Sequence, residues 1–155
     1  MPLGIPRILG WCHDDYTFPN QPAAWTRIAP EAVALDCRRS SWHTELAELG
    51  EFRSNSVLVA ATGPFGDIPI VVLSHDPKYG AGFPPAVAAQ AERAWTAMQE
   101  DLLKLSSRSE RVVARGSGHY VEIYRPELVV DAVQEIVLAA HGITSFHPTT
   151  QTGYR

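Results

Sequence analysis

Residues Ile68-Pro69-Ile70-Val71-Val72-Leu73-Ser74-His75-Asp76-Pro77 decide the fold. Over 68–74 the text is a nearly continuous run of Ile, Val and Leu, without the alternation of a half-exposed strand. Such a run is the signature of a strand covered on both faces, as in a parallel sheet. It runs straight into an acid, Asp76. Just before it, residues 62–67 read Thr-Gly-Pro-Phe-Gly-Asp, a turn-rich break between two textures.

Downstream of this strand the pattern continues as helix, strand, helix. Residues 75–85 form a loop. Residues 86–105 make a long amphipathic helix, with Ala91, Trp95, Met98, Leu102 and Leu105 recurring at alternating helical spacings. A short second strand follows over 111–114. Pro126, a favoured first-turn residue, opens a helix that runs to about 140, with Leu128, Val129, Ala132, Val133, Ile136 and Val137 on its apolar face. Gly142 ends it. The tail, 143–155, is polar and turn-rich and reads as loosely ordered. Strand, crossover helix, strand is a β-α-β unit, which should be right-handed with parallel strands. Two strands do not make a stable sheet alone. The fold class is therefore α/β, and the text reads as the end of a larger sheet.

Upstream, 1–62 is short and helical. Residues 5–11 could form one or two turns, and 13–22 a loop. A short helix is expected from Pro30 through Leu35. Another, capped by Ser40 or Ser41, carries Trp42, Leu46 and Leu49 on one face. For 54–61 periodicity does not separate a helix from a buried segment. Nothing here buries enough surface to stand alone. The chain thus divides into a helical segment, 1–62, a β-α-β-α core, 63–142, and the tail.

Composition narrows the function classes. With 45% apolar and 19% charged residues in 155, the chain has the make-up of a globular protein with a real core. A formal charge of −4 leaves no basic footprint, so nucleic acid is not an expected partner. No run approaches the length of a membrane helix, so a membrane is not expected either. Residues 1–7 lack the apolar region of a signal peptide. The two cysteines, Cys12 and Cys37, follow no CxxC spacing. A disulfide between them stays open, but the reading is of free, buried thiols in a reducing, cytoplasmic compartment.

Two segments carry chemistry. One is the strand ending in His75-Asp76-Pro77. The other is Gly116-Ser117-Gly118-His119-Tyr120, between the second strand and the last helix. In a parallel sheet both lie at the carboxyl ends of adjacent strands, where open α/β sheets place their sites. A carboxylate there can fix the tautomer of an imidazole and stabilise its charged form, while the other ring nitrogen moves a proton. Asp76 and His119 are the candidate catalytic residues. The plainer alternatives are an aspartate that starts a turn before Pro77 and a structural histidine in a Gly-rich turn. Ser117 reads as turn-forming. His75 reads as a strand-end residue facing the other way, with no third ligand to make a metal site. His13-Asp14-Asp15 reads as an exposed polar loop. Trp11, Trp25, Trp42 and Trp95 read as packing, with Trp11 or Trp42 candidates to line a pocket.

With these residues in view, the stretch Phe65 to Ser74 resembles the approach to a late strand in bacterial α/β-hydrolases. Residues 95–107, the Gly116-Ser117-Gly118-His119-Tyr120 loop and Arg125-Pro126-Glu127-Leu128-Val129 resemble their final crossover helix, histidine loop and last helix. The resemblance covers roughly 67–140 and, more loosely, a helical cap over the first 60 residues. It implies Asp76 as triad acid, His119 as triad histidine, an ester-like small-molecule substrate and no cofactor. The order acid then histidine fits that family. The chain departs from it in one large respect. No Gly-x-Ser-x-Gly elbow and no His-Gly-Gly oxyanion segment occurs anywhere. In the family these precede the cap, so the chain reads as a portion that is inactive alone. Two alternatives stand beside this: a non-catalytic remnant that offers an exposed sheet edge to a partner, and a portion complemented by a partner chain that supplies the serine.

Overall fold

The structure is a computed structural model that describes residues 8–9, 18, 20–79, 84–146 and 153–154. The chain forms two compact units, Met1–Thr62 and Gly63–Arg155.

In the first unit, α1 (Ala23–Asp36) and α2 (Arg39–Ala61) are joined by a two-residue link. Pro22 precedes α1 with extended backbone, and Pro30 lies inside it. The helix expected to begin at Pro30 therefore starts about two turns earlier, with Pro30 inside it despite the hydrogen bond it removes. Residues 54–61, undecided from sequence, continue α2 as helix. Neither expected serine caps α2: Arg38 holds the cap position, and Ser41 Oγ instead donates back to the Leu35 carbonyl at 3.0 Å. No residue of either helix is buried. Leu46, Leu49, Phe52, Val57, Leu58 and Val59 are all exposed, so α2 carries apolar side chains well beyond one stripe. Cys37 is disulfide-bonded, which corrects the free-thiol expectation and removes the thiol argument for a reducing compartment. Cys12, the 5–11 segment, His13-Asp14-Asp15 and Trp11 lie outside the described residues.

The second unit is built on β1 (Ile70–His75) and β2 (Ser109–Ala114), paired in parallel from Ile70↔Ser109 to His75↔Ala114. Between them run a 3-10 turn (Pro77–Tyr79), α3 (Pro85–Leu102) and a second 3-10 turn (Leu103–Leu105). After β2 come the one-turn α4 (Val121–Tyr124) and α5 (Pro126–Ala140). The register is fixed where the strands begin. Ile70 N–H donates to the Arg108 carbonyl at 2.9 Å, and Ser106 Oγ donates to the Ile68 carbonyl at 2.6 Å. Ala114, Val121 and Leu128 form the buried cluster, with Leu73 and Val129 packed against it.

Three expectations need correction here. β2 begins at Ser109 rather than at residue 111, because the charged pair Glu110 and Arg111 is taken into the strand and buried. Arg111 Nε donates to Ser74 Oγ at 2.9 Å, and its guanidinium reaches Glu100 at 3.5 Å, which makes that burial tolerable. The tail is not loose throughout. Phe146 is buried beneath the Arg108 guanidinium, and Gly153–Tyr154 forms β3, parallel to β2. An otherwise open β2 edge offers unpaired backbone groups that β3 satisfies. Finally, the apolar stripe assigned to the crossover helix is only partly inward: Trp95 packs on His75, but Met98 is 54% exposed, while Glu92 and Gln99 also reach β1.

Val113 is 1% exposed. Val113→Ala should lower stability by roughly 1.5–3 kcal/mol through lost burial and a small cavity. Exposed Val130→Ala should change it by no more than about 0.5 kcal/mol. Urea unfolding with an unchanged m-value measures both.

Candidate functional site

The carboxyl ends of β1 and β2 meet in a tied rim. The Asp76 N–H donates to the Ser117 carbonyl at 3.1 Å, which extends the strand pairing into the two loops. The Asp76 side chain fastens them further. Oδ1 accepts the Lys78 N–H at 3.0 Å, an Asx-turn that opens the 3-10 turn, and Oδ2 accepts the Gly116 N–H at 3.0 Å. The turn-starting role open to an aspartate before Pro77 is thus filled, and the same carboxylate also grips the histidine loop.

That loop has the backbone its glycines permit. Gly116 has φ +75°, the left-handed region where a side chain costs energy. Gly118 lies against Tyr124, such that an added Cβ would sit 3.0 Å from the ring. Ser117 is fully buried, and its Oγ donates to the Gly118 carbonyl at 2.7 Å. It forms the turn, as its sequence context indicates, and has no free path to a substrate.

His119 leaves this turn exposed. Asp76 and His119 therefore sit on the same rim, but no hydrogen bond among the described residues joins them. The carboxylate–imidazole bond that does exist is elsewhere: His75 Nε2 lies 3.0 Å from Glu92 Oε2. His75 is buried and does not face away from the site. Its ring centroid is 6.3 Å from that of His119 and 5.7 Å from Trp95. Trp95 in turn is 5.6 Å from His119, and Tyr120 stands edge-on to it at 5.2 Å. Glu92 and Trp95 come from α3, three residues apart on one face. Sequence reasoning gave Trp95 a packing role only and gave Glu92 none. The usable signal was that pairing, set against a strand that ends in a polar Ser-His.

Beside the rim, a groove of about 620 Å³ runs along α3, lined by Pro77, Lys78, Ala88, Glu92, Arg93 and Thr96 among others. No cluster of three or more metal-ligating side chains occurs among the described residues, and no helix among them is long and apolar enough to cross a membrane. Trp42 lines a second groove, within the first unit, with Asp36, Glu45 and Glu48.

Partial burial pushes the Asp76 carboxyl up, but the Gly116 and Lys78 N–H bonds and the Lys78 charge outweigh it, leaving the group below its ordinary 3.8. A carboxyl depressed in the folded state stabilises the fold above its unfolded value, and that contribution is lost as pH falls through the lowered one. Asp76→Asn should therefore cost roughly 1–3 kcal/mol at neutral pH. It should also flatten the acid limb of the stability curve between about pH 2 and pH 5, as followed by thermal unfolding.

Compared with known proteins, the chain matches no family model, no curated protein and no solved structure.

Proposed function

We propose that this chain is the acid-and-histidine portion of a serine-type α/β-hydrolase acting on ester-like substrates, with the nucleophile supplied from outside these 155 residues. In the reaction a serine hydroxyl attacks the ester carbonyl. His119 takes the hydroxyl proton and returns it to the departing alcohol, and water then releases the acyl group by the same route reversed. Asp76 orients the histidine and offsets its transient charge.

One observation carries this reading. Adjacent parallel strands deliver an acid and a histidine loop to one rim, and that acid holds the loop through the Gly116 N–H. The two backbone bonds do not exhaust the carboxylate, because each oxygen has a second acceptor position. Among the described residues, no hydrogen-bond partner competes for the nitrogens of the exposed His119. The groove along α3 opens past Pro77 and Lys78, on the β1 side of the rim.

The test is the coding sequence upstream of codon 1, joined in frame where it encodes a Gly-x-Ser-x-Gly strand–turn–helix. The joined protein should hydrolyse short p-nitrophenyl esters and react with a fluorophosphonate. His119→Ala should lower kcat by roughly 10³-fold or more, and Asp76→Ala by a smaller but large factor. The 155-residue chain alone should show no turnover that depends on His119. Turnover by the chain alone that His119→Ala abolishes, or a joined protein indifferent to His119, would overturn the proposal.

A second reading rests on β1, which among the described strands has a neighbour on one side only. Its free edge, with exposed Ile68 nearby and exposed Val130, Val133 and Val137 on α5, suits a non-catalytic module that pairs with a partner chain. That partner could also be the source of the serine. Sedimentation decides: a monomer that unfolds cooperatively on its own counts against the module.

A further inference from the structure

We propose that Trp95 is a positioning residue for His119, a shelf carried on α3 that holds the imidazole at the rim. The role assigned to Trp95 rests on the reading of His119 as a proton-transferring base; the contact itself does not.

The need for a shelf follows from what His119 lacks. It is exposed, it follows a turn of two glycines and a serine, and among the described residues its ring makes no hydrogen bond. A side chain so placed is free to exchange rotamers. A base must be held within about half an ångström of its working position. Ring contacts are the restraint available. Tyr120 is the next residue and moves with the same loop. His75 touches at 6.3 Å but is engaged with Glu92. Trp95, at 5.6 Å and 59°, is the wall that comes from a long helix outside the loop.

The helix is itself indexed to the rim. Glu92 bonds the buried His75 at the end of β1, and Gln99 approaches Ser74 one residue earlier. These contacts bracket Trp95 and fix which side of α3 faces the strand ends. Glu92 Oε1 and Trp95 Nε1 are both buried without a hydrogen-bond partner. Buried polar atoms left in that state are costly.

The experiment is NMR on the histidine-labelled 155-residue chain. The wild-type His119 ring protons should show upfield ring-current shifts and cross-peaks to the Trp95 indole. Trp95→Leu should abolish the shift while the β1 and β2 amide signals stay in place, and Trp95→Phe should retain part of it. Glu92→Gln, which still bonds His75, should preserve the shift; Glu92→Ala should weaken it. Where Trp95→Leu disturbs the strand amides, the wild-type cross-peaks and the Trp95→Phe spectrum decide. Missing cross-peaks, or His119 signals that ignore Trp95→Leu in an intact fold, overturn the shelf. In the joined enzyme, Trp95→Leu should reduce kcat roughly 10- to 100-fold with KM nearly unchanged, and Trp95→Phe should recover most of it. An intact shelf in a joined protein without hydrolysis would instead overturn the hydrolase reading.

Discussion

The carboxylate of Asp76 ties together the two loops at the carboxyl ends of β1 and β2. Parallel strands bond evenly along their length but stop at their ends, where the chain must leave into crossovers of very different length. Here the exit of β1 begins a crossover of more than thirty residues, and the exit of β2 a turn of a few. Without a tie, those exits would diverge at once. Asp76 prevents this by accepting one N–H from its own loop and one from the other, while its backbone N–H reaches the Ser117 carbonyl. The seam at the opposite end, from Ser106 and Arg108 to Ile68 and Ile70, fixes the register. Between them, six residue pairs are held in place.

A small layer held at both ends has little apolar area to spare, and the interior shows how that is managed. Ser74, His75, Glu110, Arg111 and Ser117 are all buried. Such groups are costly unless partnered, and three of them find partners on α3: His75 with Glu92, Ser74 toward Gln99 and Arg111 with Glu100. Arg111 also donates to Ser74, and Ser117 to the Gly118 carbonyl. The helix is thus oriented by hydrogen bonds as much as by packing. Hydrogen bonds are directional where apolar contact is not, so they set its rotation about its axis more sharply than a leucine stripe would.

This explains what was legible in the sequence and what was not. β1 was legible because its Ile/Val/Leu run has one physical reading. The helix from Pro126 to Ala140 was legible because proline marks its start and glycine its end. Asp76 and His119 on one rim followed from strand order alone. The start of β2 was missed because Glu110 and Arg111 look like surface residues until Ser74 is seen to meet Arg111 across the pair. The face of α3 was only partly legible for a related reason: its periodicity places Trp95 correctly, but Glu92 and Gln99, which also reach β1, are not counted by it. β3 was missed because two residues in a polar tail carry no pattern, and the open edge of β2 is what recruits them.

Asp76 cannot be both a mobile proton carrier and the tie between two loops. It is held by two backbone N–H groups and kept below the usual carboxylate range, so it stays charged and still through neutral pH. Those are the properties of a group that orients and stabilises rather than one that exchanges protons. His119 has the opposite properties: exposed, bounded by rings and, among the described residues, without hydrogen-bond partners. A fixed charge beside a restrained but unbonded imidazole leaves ring nitrogens open to something the rim does not itself contain. That division, a fixed charge beside an unbonded imidazole, is what the proposed proton transfer would require of the rim.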